Sequence, residues 1–191
     1  MSPDQLDMLR TALRRNRLIW QLNTVWSAYQ AGEAALARQE LDAESIVRTR
    51  WGLGPAEPPS EYTDETGRAP DFGEDIGDLI FEARMASGEL RVAFLITLFH
   101  AYERQVMRFL GTKQYDHDRA MDLLRRSGMN PDAAAIETVQ IAANAAKHGE
   151  GRSMELLRAR RPELVDDEGD VRLSREQFRA LAHCLIHIPA A

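Results

Sequence analysis

Apolar residues recur along most of the chain at spacings of three and four, which is the period of an α-helix. The chain has no strong run of β-branched residues that alternates at the two-residue period of a strand. The pattern therefore predicts an all-α protein, a single-domain bundle of about five to seven helices that occupies 1–191.

The N-terminal part carries the signals of one long helix. Ser2, Pro3 and Asp4 are typical of a helix start, with serine as the cap and proline in the first turn. We expect this helix to run to about Arg50, with a kink near Gly32. Its apolar positions follow the helical period: Leu6, Leu9, Leu13, Ile19, Leu22 and Val25.

A long loop is predicted at 52–70, where proline, glycine, glutamate and threonine dominate. The loop contains one aromatic residue and no cluster of residues that bind ligands. This composition favours a mobile connector, while a lid or a partner-binding segment stays open as an alternative.

The segment from Leu90 to Leu110 is apolar around most of its circumference, which predicts a helix at the centre of the bundle, with a break before it at Ser87 and Gly88. His100 and Glu103 lie one turn apart on this helix, so their side chains can touch. One interpretation is a structural pair at the border of the core. The other is an acid/base pair or two metal ligands, since the unperturbed pKa of histidine, about 6.5, suits proton transfer.

A second helix of interest is predicted to start at Asn130, as the cap, with Pro131 in the first position. One face carries small or apolar residues that allow close packing: Ile136, Val139, Ala142, Ala143 and Ala146. Another stripe contains Asn144 and His148, and Gly149 is expected to end the helix. Lys147 and His148 either complement the negative end of the helix dipole or contact a phosphate.

Basic and histidine-containing stretches follow. Arg158 belongs to a basic helix that is either a solvated face or, with Arg152 and Lys147, a phosphate-binding surface. Ser174 and Gln177 have the spacing of a capping box for a last helix. In that helix we expect a buried stripe of Phe178, Leu181, Leu185 and Ile188, and Cys184 as a small core residue. His183 and His187 are four residues apart on one face, so they are either surface histidines or, with a third converging ligand, part of a metal site.

Composition narrows the possible functions. The net charge of the 191 residues is -6, which argues against a broadly basic surface but not against a local basic groove. A single cysteine excludes an internal disulfide and a multi-cysteine zinc site. We see no signal peptide, no membrane span and no phosphate-loop or nucleotide-binding motif, so a cytoplasmic protein without metal or cofactor is expected.

Two stretches, "FHAYERQVMRFL" and "IAANAAKHGEG", resemble the central helices of HEPN-type helical domains. Asn144 and His148 match the asparagine and histidine of the HEPN ribonuclease pattern, while Ala143 stands where that pattern has arginine. The resemblance implies metal-independent RNA cleavage and a homodimer. Arg104 or Arg152 would supply the missing positive charge.

Two hypotheses follow. The first is an HEPN-like, RNA-directed protein of a prokaryotic stress, toxin or defence system, either an endoribonuclease or an inactive relative. Its site would contain Asn144, Lys147 and His148, with His100 and Glu103 facing them. The second is a non-enzymatic module that binds a protein partner, such as an immunity or accessory protein. The first requires an accessible Asn144 and His148, and the second requires them to be buried and hydrogen-bonded.

Overall fold

The computed structural model describes residues 2–59 and 71–189, except for the side chain of Pro3. Within these ranges there are seven α-helices and one 3-10 turn, and the only pairing of extended residues besides them is an isolated bridge between Val165 and Val171. The predicted all-α class is confirmed. The helices are α1 (Pro3–Leu41), α2 (Ala43–Arg50), α3 (Phe72–Leu110), α4 (His117–Arg126), α5 (Ala133–His148), α6 (Arg152–Arg160) and α7 (Arg175–Ile186), and the 3-10 turn is Pro162–Leu164.

The chain divides into two compact units, Met1–Tyr29 with Arg91–Ala191, and Gln30–Leu90. The single domain predicted over 1–191 stays a prediction.

The core of the first unit is built around the second half of α3, as its apolar pattern predicts. Residues on most of this helical segment are buried: Leu95, Leu98, Phe99, Ala101, Tyr102 and Val106. Phe178 of α7 adds an aromatic layer, with its ring centroid 4.3 Å from Tyr29 and 6.0 Å from Trp26. Burying such large apolar surfaces is the main favourable contribution to folding.

The second unit has its own small core. Ala43, Val47 and Leu79 are buried, and partly buried apolar residues pack against them: Ile46, Trp51, Phe72, Ile76 and Ile80. The Trp51 indole nitrogen donates a hydrogen bond to Asp75 at 2.8 Å, so the polar end of the ring is satisfied.

The predicted bounds of the two long helices are wrong in two places. The first helix ends at Leu41 and not near Arg50, and Gly32 lies inside it. A Cβ at Gly32 would lie 3.1 Å from a methyl carbon of Leu90, so the glycine permits close packing at this point. Helix α3 also runs through Ser87 and Gly88 without a break, because a glycine inside a helix costs only about 1 kcal/mol.

The predicted start of α5 is also wrong by two residues. Asp132 is the cap, and its side chain accepts a hydrogen bond from the Ala135 amide at 3.0 Å. The Asn130 amide instead donates to the Pro189 carbonyl at 2.8 Å, and Pro131 is buried. A long-range contact therefore uses the residue that the local pattern assigns to the cap.

The predicted loop begins as expected, with α2 ending at Arg50 and Gly52 in the left-handed conformation (φ 68°). Arg48 donates to the carbonyls of Gly54 and Glu57, at 3.2 and 2.9 Å, and holds this first part. Residues 60–70, the remainder of the predicted loop, lie outside the described residues.

The capping box of α7 is confirmed. The Ser174 hydroxyl accepts from the Gln177 amide at 3.1 Å, and the Gln177 side chain accepts from the Ser174 amide at 2.7 Å. The helix ends at Ile186, which is buried, so Ile188 of the predicted stripe lies beyond the helix and is only partly buried.

We expect Ser174→Ala to lower the free energy of unfolding by about 1 kcal/mol, because an N-terminal amide of α7 loses its acceptor. Urea denaturation of the two proteins measures this difference. Ser174→Asp is the matched control, since aspartate caps a helix as well as serine does. Equal losses in both variants would contradict a capping role.

Candidate functional site

His100 and Glu103 form a side-chain pair on α3, as their spacing predicts. The imidazole Nδ1 lies 2.9 Å from a carboxylate oxygen of Glu103, and the side chains are 32% and 27% exposed. An ionised carboxylate only accepts hydrogen bonds, so Nδ1 carries the hydrogen and Nε2 of a neutral His100 has a free lone pair. About one-third of the pair is thus accessible, and the hydrogen bond to Glu103 determines which imidazole nitrogen carries the hydrogen.

Tyr115, in the link between α3 and α4, lies next to this pair. Its ring packs edge-on against Phe99 at 5.8 Å, and its hydroxyl is 3.4 Å from Nδ1 of His117. Burial is the main cause that raises the pKa of Tyr115 to about 12; a hydrogen bond with Tyr102 opposes the rise, and the negative charges of Glu103 and Asp116 add to it. Tyr115 therefore keeps its proton at neutral pH and can both donate and accept a hydrogen bond.

Two further groups, Tyr102 beside Tyr115 and Cys184 on α7, stay protonated at neutral pH. Burial is the main cause that raises the pKa of Tyr102, and its contact with Tyr115 raises the pKa as well. Burial also raises the pKa of Cys184 to about 12, and its thiol donates to the Leu181 carbonyl at 2.9 Å. Cys184 is partly buried, and at neutral pH it is a thiol and not a nucleophilic thiolate.

A surface pocket of about 470 Å³ opens beside Tyr115, and its lining includes Lys113 and Arg119. Neither cation forms an ion pair with any residue that the structure describes. We call His100, Glu103, Tyr115 and His117, with this pocket, the Tyr115 site. It combines titratable groups with free positive charge, which is the combination that acid/base chemistry on an anion needs.

The end of α5 is accessible. Lys147 and His148 are exposed, Asn144 is half-buried, and their side chains make no hydrogen bond or ion pair with the described residues. No polar contact of these side chains therefore joins α5 to another described helix. Nor does any described polar contact join them to His100 or Glu103.

The helix itself ends as predicted, with Gly149 at φ 70° and its amide bonded to the Ala145 carbonyl at 2.8 Å. The pattern predicts that Ala146 belongs to the packed face of this helix, but Ala146 is only half-buried. The neighbouring Ala145 is buried instead.

Most arginines of the basic helix α6 are already engaged. Arg158 donates to the Gly169 carbonyl at 3.3 Å, and Arg160 lies 3.2 Å from the Glu137 carboxylate. Arg161 pairs with Glu163. Arg152 is exposed and, like Arg104 on α3, has no ion pair with a described residue. Arg104 is thus the predicted phosphate-binding cation closest in sequence to the His100 pair.

The two histidines of α7 are exposed, with ring centroids 4.4 Å apart. Among the described residues, no group of three or more histidine, cysteine, aspartate and glutamate side chains converges as a metal site would require.

Sequence reasoning missed Tyr115, His117, Lys113 and Arg119. They belong to the α3–α4 link and the first turn of α4, where helical periodicity carries no information. The available signal was the short run "YDHD", in which an aromatic residue and a histidine interrupt a polar link.

The described residues thus form an all-α structure in which the hydrogen-bonded pair of His100 and Glu103 is partly accessible. Comparison of the chain with protein families, with curated proteins and with solved structures finds no match. In the described residues, no helix is both long enough and apolar enough to span a bilayer.

Proposed function

We propose that the chain is an RNA-directed protein of a prokaryotic stress, toxin or defence system, and that it cleaves RNA without a metal. The HEPN resemblance suggests this class. The observation that carries the proposal is the 2.9 Å contact between His100 and Glu103, which leaves the other imidazole nitrogen available as a base.

The base step uses His100. Its Nε2 takes the proton of a ribose 2′-hydroxyl, and the 2′-oxygen forms a bond to the adjacent phosphorus. The resulting imidazolium still donates its Nδ1 hydrogen to Glu103, and the negative charge of Glu103 stabilises the imidazolium. Glu103 thus acts as a positioning residue.

The acid step uses His117. Its protonated imidazole donates Nδ1–H to the neutral Tyr115 hydroxyl and gives its other proton to the departing 5′-oxygen. The bond from phosphorus to that oxygen breaks, and the products are a 2′,3′-cyclic phosphate and a 5′-hydroxyl. Lys113, Arg119 and Arg104 stabilise the charge that builds up on the phosphate.

The α5 end is the second possible location for this chemistry. His148 is exposed, and Asn144 and Lys147 lie within one turn of it. The matched variants of His100 and His148 in the Discussion distinguish the two locations.

The wild-type test compares labelled single-stranded RNA and transfer RNA with DNA of the same sequence, all in excess chelator. We expect the RNA to be cut to fragments with 2′,3′-cyclic phosphate ends and the DNA to stay intact, because it has no 2′-hydroxyl. Intact RNA at stoichiometric protein would contradict cleavage. Cleavage that the chelator abolishes would contradict metal independence.

A second candidate function is a non-enzymatic module that binds a protein partner or a second copy of the chain. One observation favours it: large apolar side chains, between 37% and 69% exposed, share one face of α1. They are Leu6, Leu9, Leu13 and Trp20. Intact RNA in the test above would favour this function.

A further inference from the structure

A small notch between α1 and α3 of the first unit is rich in positive charge. Arg14, Arg17 and Arg108 line it together with Gln105 and Phe109, and its volume is about 140 Å³. We call these five residues the arginine notch. It shares no residue with the Tyr115 site.

The three guanidinium groups have no paired carboxylate among the residues that the structure describes. None forms an ion pair or a hydrogen bond with a described residue, and Asp7, the acidic residue of α1 nearest to them in sequence, pairs with Arg10 at 3.4 Å. Like charges around one cavity repel each other, so an anion in the notch would relieve the repulsion. In a chain of net charge -6, this concentration of cations is a local feature of the surface.

The walls of the notch are partly ordered before any ligand arrives. The Arg14 guanidinium lies 5.8 Å from the centre of the Phe109 ring, a cation–π contact that restricts its position. Gln105 is only 4% exposed, and its amide donates to the Gln21 side chain. A site with ordered walls loses less conformational entropy when it binds.

Size and charge together select the ligand. An engineered cavity of about 150 Å³ holds a benzene ring, so the notch has room for one phosphate group and not for a nucleoside. A phosphomonoester has three terminal oxygens and close to two negative charges at neutral pH, which suits three guanidinium groups. A backbone phosphodiester carries only one negative charge, so it balances three guanidinium groups less well than a phosphomonoester does.

We propose that the arginine notch binds the terminal phosphate of an RNA strand, at its 5′ or 3′ end. This inference rests on the proposed RNA-directed function, which it deepens by naming a preference for phosphorylated ends. Guanidinium groups bind phosphate through paired N–H donors. Three guanidinium groups in one notch therefore increase the affinity for a phosphate group and also fix its orientation.

The test measures binding by fluorescence anisotropy in chelator, with a 2′-O-methyl oligoribonucleotide that has no 2′-hydroxyl to react. One sequence is used in three forms, with a 5′-phosphate, with a 3′-phosphate and with neither. We expect one phosphorylated form to bind at least about tenfold more tightly than the form with two hydroxyl ends, because each charge-assisted hydrogen bond contributes strongly.

Arg17→Gln and Arg108→Gln are expected to abolish this preference and to leave the affinity for the hydroxyl form within about twofold. Both arginines are exposed, so the variants should fold normally. Arg15→Gln is the matched control: it removes the same charge from the same helix but does not line the notch, and it should retain the preference.

The outcomes separate the two proposals. Equal binding of all three forms, or a preference that survives in both notch variants, overturns the notch and leaves RNA binding intact. If no form binds, the proposed RNA-directed function fails. The notch is then tested by measuring the melting temperature of the protein in inorganic phosphate and in AMP. A rise in the melting temperature of wild type and Arg15→Gln, absent in Arg108→Gln, supports a free phosphate ligand, and no such difference overturns the site.

Discussion

His100→Ala is expected to lower the rate of RNA cleavage about a hundredfold to ten-thousandfold, the contribution usual for a positioned acid or base. The substitution removes the nitrogen that accepts the 2′-hydroxyl proton. It should leave the fold intact, because the His100 side chain is about one-third exposed at 32% and its only described hydrogen bond is to Glu103. Single-turnover rates in chelator, with a melting curve for each protein, measure the effect.

Three further variants provide the control for this result and test the roles of the other residues. His183→Ala removes an exposed histidine of α7 and should cleave at the wild-type rate. Glu103→Gln keeps the shape but lets the His100 ring change tautomer, so we expect an intermediate loss in rate with unchanged RNA affinity. If His148→Ala abolishes cleavage while His100→Ala does not, the chemistry belongs to the α5 end and the Tyr115 site is excluded.

Phe178→Ala is expected to lower the free energy of unfolding by about 3–5 kcal/mol, the usual cost of removing a fully buried phenylalanine ring. The ring is 1% exposed and packs against Trp26 and Tyr29. Its loss leaves a cavity between α7 and the aromatic residues of α1. Since a typical domain is stable by only about 5–15 kcal/mol, the loss should be visible in urea titration and in the melting temperature.

The control for this prediction is Phe81→Ala, which removes the same side chain from a position that is 63% exposed. Its effect should stay within about 0.5 kcal/mol. If Phe178→Ala cost no more than Phe81→Ala, the aromatic layer of the first unit would not contribute to stability as its burial implies.

Local signals in the sequence predicted most helices. The capping box of Ser174 and Gln177, the end of α5 at Gly149 and the spacing of His100 and Glu103 each depend on residues within one turn of each other. Contacts of this kind can be predicted from the sequence, because the residues involved are close along the chain. The same reasoning failed at Asn130, whose amide donates to the Pro189 carbonyl from a distant part of the chain.

By itself the sequence determined the all-α class, the central position of the second half of α3 and the contact between His100 and Glu103, because helical periodicity controls each of them. Only the tertiary structure decided that Tyr115 lies beside that pair and that Arg14, Arg17 and Arg108 surround one notch. These groups come from segments far apart along the chain or from a link without periodicity. Their meeting depends on how whole helices pack, which no local pattern encodes.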